Sequence, residues 1–411
     1  MLIVIDDIGY GDLGIYGNEI HQTPNINQLA KEGMIFTDFH SNGAVCSPTR
    51  AALMTGQYQQ RTNVEHAIGF TMQEGMPLHK KTVAEHLSKA GYKSAVFGKW
   101  HLGHVSLYGP NDQGFDVSYT SNNTPDYHTH ISRTGELDWF RDQQLKDEPG
   151  YLTDLVTNHS VNFIKESVGQ PFFLFVSHLA AHFPFQGPDD PGHRTEGKVW
   201  HQSKYGPLAE SEYKRAYKDM IEAVDQSVGA IVNALEDSGL RENTLIFITS
   251  DNGAYSWVGS NYPFRGEKGS LFEGGHRLPA IAHWPGHIPA GTVCHETILT
   301  MDLTPTFVSL AGMDLRDPAY EFDGIDISKT ILGGKPVEPR TLFWHFKNPY
   351  TNSYAYSVRD DDWKLLMENG EDYLFNLRLD PTESNNLIGR YPEKHELLQS
   401  KYSSWVTDIF E

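Results

Sequence analysis

Met1-Leu2-Ile3-Val4-Ile5-Asp6-Asp7 opens the chain, and its reading decides the fold. Five consecutive apolar residues leave no polar face to turn to water. They read as a buried parallel strand, entered midway and covered on both sides. The acidic pair follows at once, so it falls at the carboxyl end of that strand, where open α/β sheets collect their ligands. Working outward, similar runs recur at Met34–Phe39, Lys93–Phe97, Pro171–Ser177, Leu245–Thr249 and Leu278–His283. Helical patterns separate them. Pro24–Lys31 has Thr23 as its cap and Pro24 at its first position. In the long segment Glu210–Asp237, Tyr217, Ile221, Val224, Val228, Ile231 and Leu235 repeat at spacings of four and three, a stripe that reads as core. Strands alternating with helices predict βαβ units.

After about Asp323 the pattern changes. Thr341–Phe346, Tyr356–Val358, Trp363–Met367 and Tyr373–Phe375 read as short antiparallel strands, with turns at Asp360-Asp361-Asp362 and Asn369-Gly370. A final helix is expected from Pro392 to about Val406. The expected architecture is therefore α/β. A large, mostly parallel central sheet flanked by helices covers residues 1–322, and a smaller C-terminal antiparallel subdomain covers residues 323–411. Two stretches, about Gly103–Gly150 and Gln186–Pro207, are polar, aromatic and irregular, the usual carriers of binding surface.

With 411 residues, 39% of them hydrophobic, the chain can bury a sizeable core. A formal net charge of -20 argues against nucleic acid and anionic membranes as partners. No run approaches the length of a membrane span. The two cysteines, Cys46 and Cys294, provide no disulfide framework. No signal peptide is visible, and the strand entered midway predicts that a preceding segment, such as an export signal, has been trimmed.

Asp251-Asn252 repeats the opening arrangement, directly after the run Leu245–Thr249. Asp6, Asp7, Asp251 and Asn252 together form an all-oxygen set, suited to a hard cation such as Ca²⁺ or Mg²⁺ and poor for zinc. His178 and His182 stand four apart, the spacing of a zinc pair on a helix, but no third ligand is near and Pro184 argues against a sustained helix.

Three further stretches carry a resemblance. They are Cys46-Ser47-Pro48-Thr49-Arg50, running into Ala51-Ala52-Leu53-Met54-Thr55-Gly56; Gly98-Lys99-Trp100-His101-Leu102-Gly103-His104; and Arg265 to Gly275, with Lys268 ahead of Glu273-Gly274-Gly275. In this order, with the acidic pairs, they resemble the formylglycine-dependent sulfatases of the alkaline phosphatase superfamily, particularly those acting on sulfated carbohydrates. The resemblance implies that Cys46 is oxidised by a maturation enzyme to formylglycine, whose hydrate is the nucleophile. It also implies a calcium ion, with magnesium as the alternative, on Asp6, Asp7, Asp251, Asn252 and residue 46.

The cation, Arg50, Lys99 and Lys268 would hold negative charge, with Lys99 on a sulfate oxygen and Lys268 bridging sulfate and nucleophile; His101 would hydrogen-bond the hydrate, and His182 or Lys268 would protonate the leaving oxygen. These cations make a locally basic pocket on an acidic protein. After one hydroxyl of the hydrate attacks sulfur, the second can expel sulfate by re-forming the aldehyde. His104, Arg265 and His128 are candidate sugar contacts, His178 and Glu273 structural residues. Periplasmic or secreted location follows from the same resemblance. The competing expectations are a formylglycine-dependent phosphonate or phosphodiester hydrolase, and a catalytically silent homologue that binds sulfated glycans.

Overall fold

The computed structural model describes residues 1–69, 72–200, 205–348 and 353–410. The opening strand is β1 (Leu2–Ile5), buried along its whole length. The strands that follow are β2 (Met34–His40), β3 (Lys93–Lys99), β4 (Val117–Ser121), β5 (Phe140–Arg141), β6 (Gln144–Leu145), β7 (Phe172–His178), β8 (Ile246–Ser250), β9 (Arg277–His283), β10 (Thr292–Cys294) and β11 (Ile298–Leu299). With β1 they form one 11-stranded sheet in the order β10-β2-β9-β8-β1-β7-β3-β4-β5-β6, with β11 also paired to β2.

β8, β1, β7, β3 and β4 run parallel, so the carboxyl ends of five adjacent strands share one edge. β9 is antiparallel to both β8 and β2. The chain between β8 and β9 returns through a loop instead of a helical crossover, and a loop reverses direction. The sheet is thus mixed at that side and parallel where the acidic pairs emerge.

Side chains alternate through the sheet. Ile3 and Ile5 pack with Ile26, Leu29, Val156, Ile164, Ile221, Val224 and Val228, from the helices Pro24–Glu32, Leu152–Glu166 and Tyr213–Asp237. Leu2 and Val4 pack on the other face with Leu53, Met54, Val83, Leu87 and Leu303. The strand is covered on both sides, as its unbroken apolar run requires.

The region 103–150, expected to be irregular, contains β4, β5 and β6. The sequence Val-Ser-Tyr-Thr-Ser of β4 lacks a hydrophobic run, and the strand forms because it continues the parallel register of β3.

β12 (Thr341–Asn348), β13 (Ser353–Asp360), β14 (Trp363–Glu368) and β15 (Glu371–Asn376) build a separate four-stranded antiparallel sheet. All four expected strands are present, each somewhat longer. Asn369 and Gly370 both take positive φ (56° and 79°) between Glu368 and Glu371, the geometry that a two-residue hairpin demands. The helix Pro392–Phe410 covers this sheet with Leu398, Tyr402, Trp405 and Ile409. Its core runs on into Ala52, Tyr58, Leu271, Phe272 and Met301, so the second sheet is packed on the first part of the chain. No helix among the described residues is long and apolar enough to cross a membrane.

Candidate active site

Four parallel strands and one helix deliver the expected residues to one place. Asp6 and Asp7 leave β1, Asp251 and Asn252 leave β8, Lys99 ends β3, and His182 follows β7. Cys46 is the first residue of the helix Cys46–Thr55, which Val45 enters in an extended conformation and Gly56 closes in the left-handed region. Pro48 lies in the first turn, where its missing N–H leaves no intrahelical bond unmade. β3 can reach the site because Gly98 lies hard against β7; a Cβ there would come 1.9 Å from Ser177 O.

Cys46 is buried, with 1% of its surface exposed. Its sulfur lies 3.3 Å from Lys268 Nζ, 3.5 Å from Lys99 Nζ, 3.5 Å from Asp6 Oδ1 and 4.0 Å from Asp7 Oδ1. Lys99 Nζ donates to Asp6 Oδ2 and Lys268 Nζ to Asp7 Oδ1, both at 2.5 Å. Arg50 points Nε and Nη2 at Asp251 Oδ2 (2.9 and 2.8 Å) and Nη1 at Lys99 O (3.0 Å) and Ser177 Oγ (2.6 Å). Donor atoms of Asp6, Asp7, Cys46 and Asp251 all lie within 4.8 Å of one another.

Two oxygens in this cluster, Asp7 Oδ2 and Asn252 Oδ1, are buried without a hydrogen-bond partner. Leaving such atoms unpaired is costly. A hard divalent cation would pair both, and the carboxylate and amide donors are the right kind for it. The residues present fit such an ion. Asp7 and His101 take positive φ (59° and 57°), a strained conformation for non-glycine residues that recurs at functional sites.

Electrostatics match this layout. Burial, with Asp6 next, pushes the Cys46 thiol far above its ordinary value, so as a plain cysteine it is a protonated, poor nucleophile. Burial and then Asp6 raise the Asp251 carboxyl, with Arg50 opposing. Burial works against the charge of Lys268, but Asp7 and Cys46 outweigh it and hold the lysine well above its usual value. Burial, then Lys268 and Lys99, keep His182 well below the usual histidine value. Burial, then Lys99 and Arg50, do the same to His101.

His182 Nε2 is 3.6 Å from Asp7 Oδ2, and its Nδ1 bonds Phe183 O at 2.7 Å. His101 turns Nε2 to Ile68 O at 2.9 Å and leaves Nδ1 buried and unpaired. A recess of about 60 Å³ beside it is lined by His101, His104, Asn122, Asn123, Asp138 and Phe140. His104 is exposed there and bonds Ser106 Oγ through Nδ1 at 2.8 Å.

Arg265 is engaged with the fold: Nη1 donates to Glu383 O at 3.0 Å, and its guanidinium lies over Phe272 at 3.8 Å. His128 bonds Gly187 O at 3.2 Å, away from these residues. His178 is fully buried and bonds Ser227 Oγ at 3.1 Å. The glycines after Glu273 serve close approach and not positive φ; a Cβ on Gly275 would meet Ser270 O at 1.9 Å.

Two supporting residues escaped the sequence reading. Ser177 Oγ accepts from Arg50 and donates to Lys99 O at 2.6 Å, joining the two cations. Tyr217, read as part of a core stripe, places its hydroxyl within hydrogen-bond distance of Asp7 O (2.9 Å) and Asp12 Oδ2 (2.7 Å), the shorter contact taking its single proton, beside the strained turn after β1. The one polar residue at the end of an apolar run was the available signal for Ser177.

A hard-cation cradle at strand ends, three cations and a buried residue at a helix start together describe an enzyme that cleaves an anionic ester. The chain belongs to the sulfatase family: the Sulfatase family model matches residues 1–313, and that of the N-sulphoglucosamine sulphohydrolase C-terminal region matches residues 266–407. It is 32% identical to arylsulfatase G of Rattus norvegicus, covering 100% of this chain and 86% of that one. It is 36% identical to N-acetylgalactosamine-6-sulfatase of Canis lupus familiaris over 84% of this chain and 68% of that one. Among solved structures, Ps i-CgsB in complex with k-i-k-neocarrahexaose superposes with a TM-score of 0.87 at 28% identity, over 98% of this chain and 91% of that one. The protein is a sulfuric ester hydrolase, and its family implies a formylglycine and a metal ion.

Proposed function

We propose that the protein removes sulfate from a sulfated carbohydrate, using formylglycine made from Cys46 and a calcium ion. Magnesium is the alternative ion. The observation that carries this is the convergence of Lys99, Lys268 and three carboxylates on the buried sulfur of Cys46. The carbohydrate class is supported by the name of one relative, N-acetylgalactosamine-6-sulfatase, and by the k-i-k-neocarrahexaose bound in one similar structure.

Asp6, Asp7, Asp251, Asn252 and residue 46 would hold the cation, which supplies positive charge against the sulfate oxygens. The formylglycine supplies, as its hydrate, one hydroxyl that attacks sulfur and a second that allows sulfate to leave. The remaining work belongs to the chain. Lys99 and Lys268, donating on either side of residue 46, bind sulfate oxygens where burial makes fixed charges count most. Arg50 keeps Asp251 ionised and in place, and Ser177 ties that arginine to Lys99. Lys268, held protonated, can pass a proton to the leaving oxygen; His182, at the pocket wall, is the other candidate donor once the charge of a bound ester has protonated its Nε2. His101 orients the hydroxyls of residue 46, and His104 and Arg265 lie outward as sugar contacts.

The reading includes a maturation enzyme as partner and work in the periplasm or outside the cell. The first experiment is a mass spectrum of the peptide containing Cys46, from protein made with a maturation enzyme present. A residue lighter by the thiol-to-aldehyde change is expected. An intact thiol in protein that nevertheless binds sulfated glycans would turn the reading to a silent binding protein. Turnover of an aryl sulfate should exceed that of a phosphodiester; the reverse order would sink the sulfate assignment.

A further inference from the structure

The loop between β8 and β9 carries Lys268 to the sulfur of residue 46, yet much of its anchorage comes from the second sheet. Glu368, the last residue of β14, accepts from Ser270 Oγ at 2.8 Å and from Leu271 N at 2.7 Å. Glu383, just beyond β15, accepts from Glu273 N at 2.6 Å, while its own carbonyl accepts from Arg265 at 3.0 Å. Lys364 Nζ sits 2.8 Å from both Glu273 Oε1 and Glu383 Oε1. The chain is therefore tied to the second sheet at Arg265 before Lys268 and at Ser270 after it. Within the first part of the chain, Lys268 N bonds Ala254 O at 3.2 Å, Gly269 N bonds Ala44 O at 2.9 Å, Ser270 N bonds Glu267 O at 2.9 Å, and Glu267 accepts from Ser256 N at 2.8 Å.

A lysine has four rotatable bonds, so its ammonium is placed well only if its Cα is placed well. Glu368 holds Ser270 and Leu271, two and three residues downstream of Lys268, through one side-chain and one backbone donor. Unlike Lys364 and Glu383, which are fully buried, Glu368 is partly exposed to solvent. It can therefore be altered without opening the buried charges around Lys364.

We propose that Glu368 is a positioning residue for sulfate cleavage, setting the reach of Lys268 Nζ toward residue 46 and the bound ester. This rests on the reading of Lys268 as a sulfate-binding group. Glu368 touches neither substrate nor reacting atoms and acts only through the loop.

The test is a double-mutant cycle with aryl sulfate turnover as the readout. Glu368→Ala should lower kcat about tenfold, within the range that displacements near 1 Å cost, with little change in thermal midpoint. Glu368→Gln, which keeps one acceptor, should lose less. Lys268→Ala should lose far more, and adding Glu368→Ala to it should cost nothing further, because the group being positioned is gone. An equal loss from Glu368→Ala with and without Lys268 would overturn the proposal, since a general structural role predicts it. Full activity of Glu368→Ala alone would overturn it too. If Lys268→Ala itself turned over normally, the underlying reading of Lys268 would fall first, a separate and visible failure. Should the alanine variant not fold, Glu368→Gln carries the same cycle.

Discussion

The protein buries two ionic networks of the same make-up. Around Cys46 stand three carboxylates (Asp6, Asp7, Asp251), three cations (Arg50, Lys99, Lys268) and two histidines held neutral by burial (His101, His182). Where the two sheets meet stand Asp38, Glu273 and Glu383, with Arg277, Arg359 and Lys364, and again two histidines held neutral by burial, His40 and His276. The difference is closure. In the second network each carboxyl oxygen lies against a cation or donor: Arg359 grips Asp38 with two nitrogens (2.7 and 2.9 Å), and Lys364 Nζ stands 2.8 Å from both Glu273 Oε1 and Glu383 Oε1, the latter an ion-pair contact without hydrogen-bond geometry. In the first, Asp7 Oδ2 and Asn252 Oδ1 are left unpaired. The unpaired oxygens of the first network are the kind of atoms a bound cation would satisfy. Equal charge counts thus conceal opposite purposes.

The largest effect expected from breaking the open network is at its centre. Cys46→Ala should reduce turnover by more than about 10⁴-fold, as removal of a covalent nucleophile does, with the thermal midpoint unchanged; retained activity would refute the nucleophile assignment. Next is Asp251→Ala, which should lose bound metal and most activity together. A chelator should lower the stability of the parent protein by roughly the 2–3 kcal/mol that saturating ligand provides, seen as a fall in thermal midpoint, and leave the variant unmoved. Equal sensitivity in both would place the ion elsewhere.

A matched pair of substitutions then sharpens the contrast. Lys364→Met strips a buried pair of its cation and should destabilise by about 3–5 kcal/mol, measured by denaturant unfolding with metal present. Lys99→Met under the same conditions should cost activity first, because a bound cation still offsets Asp6.

The smallest effect is a pH dependence. Burial, opposed by Lys364 and helped by Glu273, pushes the Glu383 carboxyl up from 4.5 to about 7. The folded state holds that proton more tightly than the unfolded state. Its stabilising contribution is therefore full below pH 4.5 and lost as pH rises toward 7. Glu383→Gln should flatten this part of the stability–pH curve; an unchanged slope would show that another group sets it.

How much of this was legible depended on how local the information was. β1, β2, β3, β7, β8 and β9 each announce themselves as one apolar run, and every residue of the open network lies in, or just after, such a run or a short contiguous motif. Asp6-Asp7 could be placed at a strand end without knowing any partner. The closed network could not be read in that way, because Asp38 and His40, Glu273, Lys364 and Glu383 come from distant segments and nothing in the sequence marks them as partners. Only the pairing of β13 and β14 against the Arg265–Gly275 loop brings them together. β4 was hidden for a related reason, since its polar sequence forms a strand only once β3 exists beside it.

The place of β1 in the sheet has a consequence for how the molecule comes into being. Its neighbours are strands far along the chain, with Leu2 opposite Phe175 on one side and Phe247 on the other. Asp7 meets Asp251 and Asn252 across sequence separations of 244 and 245 residues. At synthesis rates of about 5–20 residues per second, the segment Leu2–Ile5 waits on the order of ten to fifty seconds before its second partner leaves the ribosome. During that interval a bare apolar strand is exposed to misassembly, and the metal cradle is half built. Assembly of the cradle is therefore among the late events of folding, tied to the slow, long-range closure of the sheet.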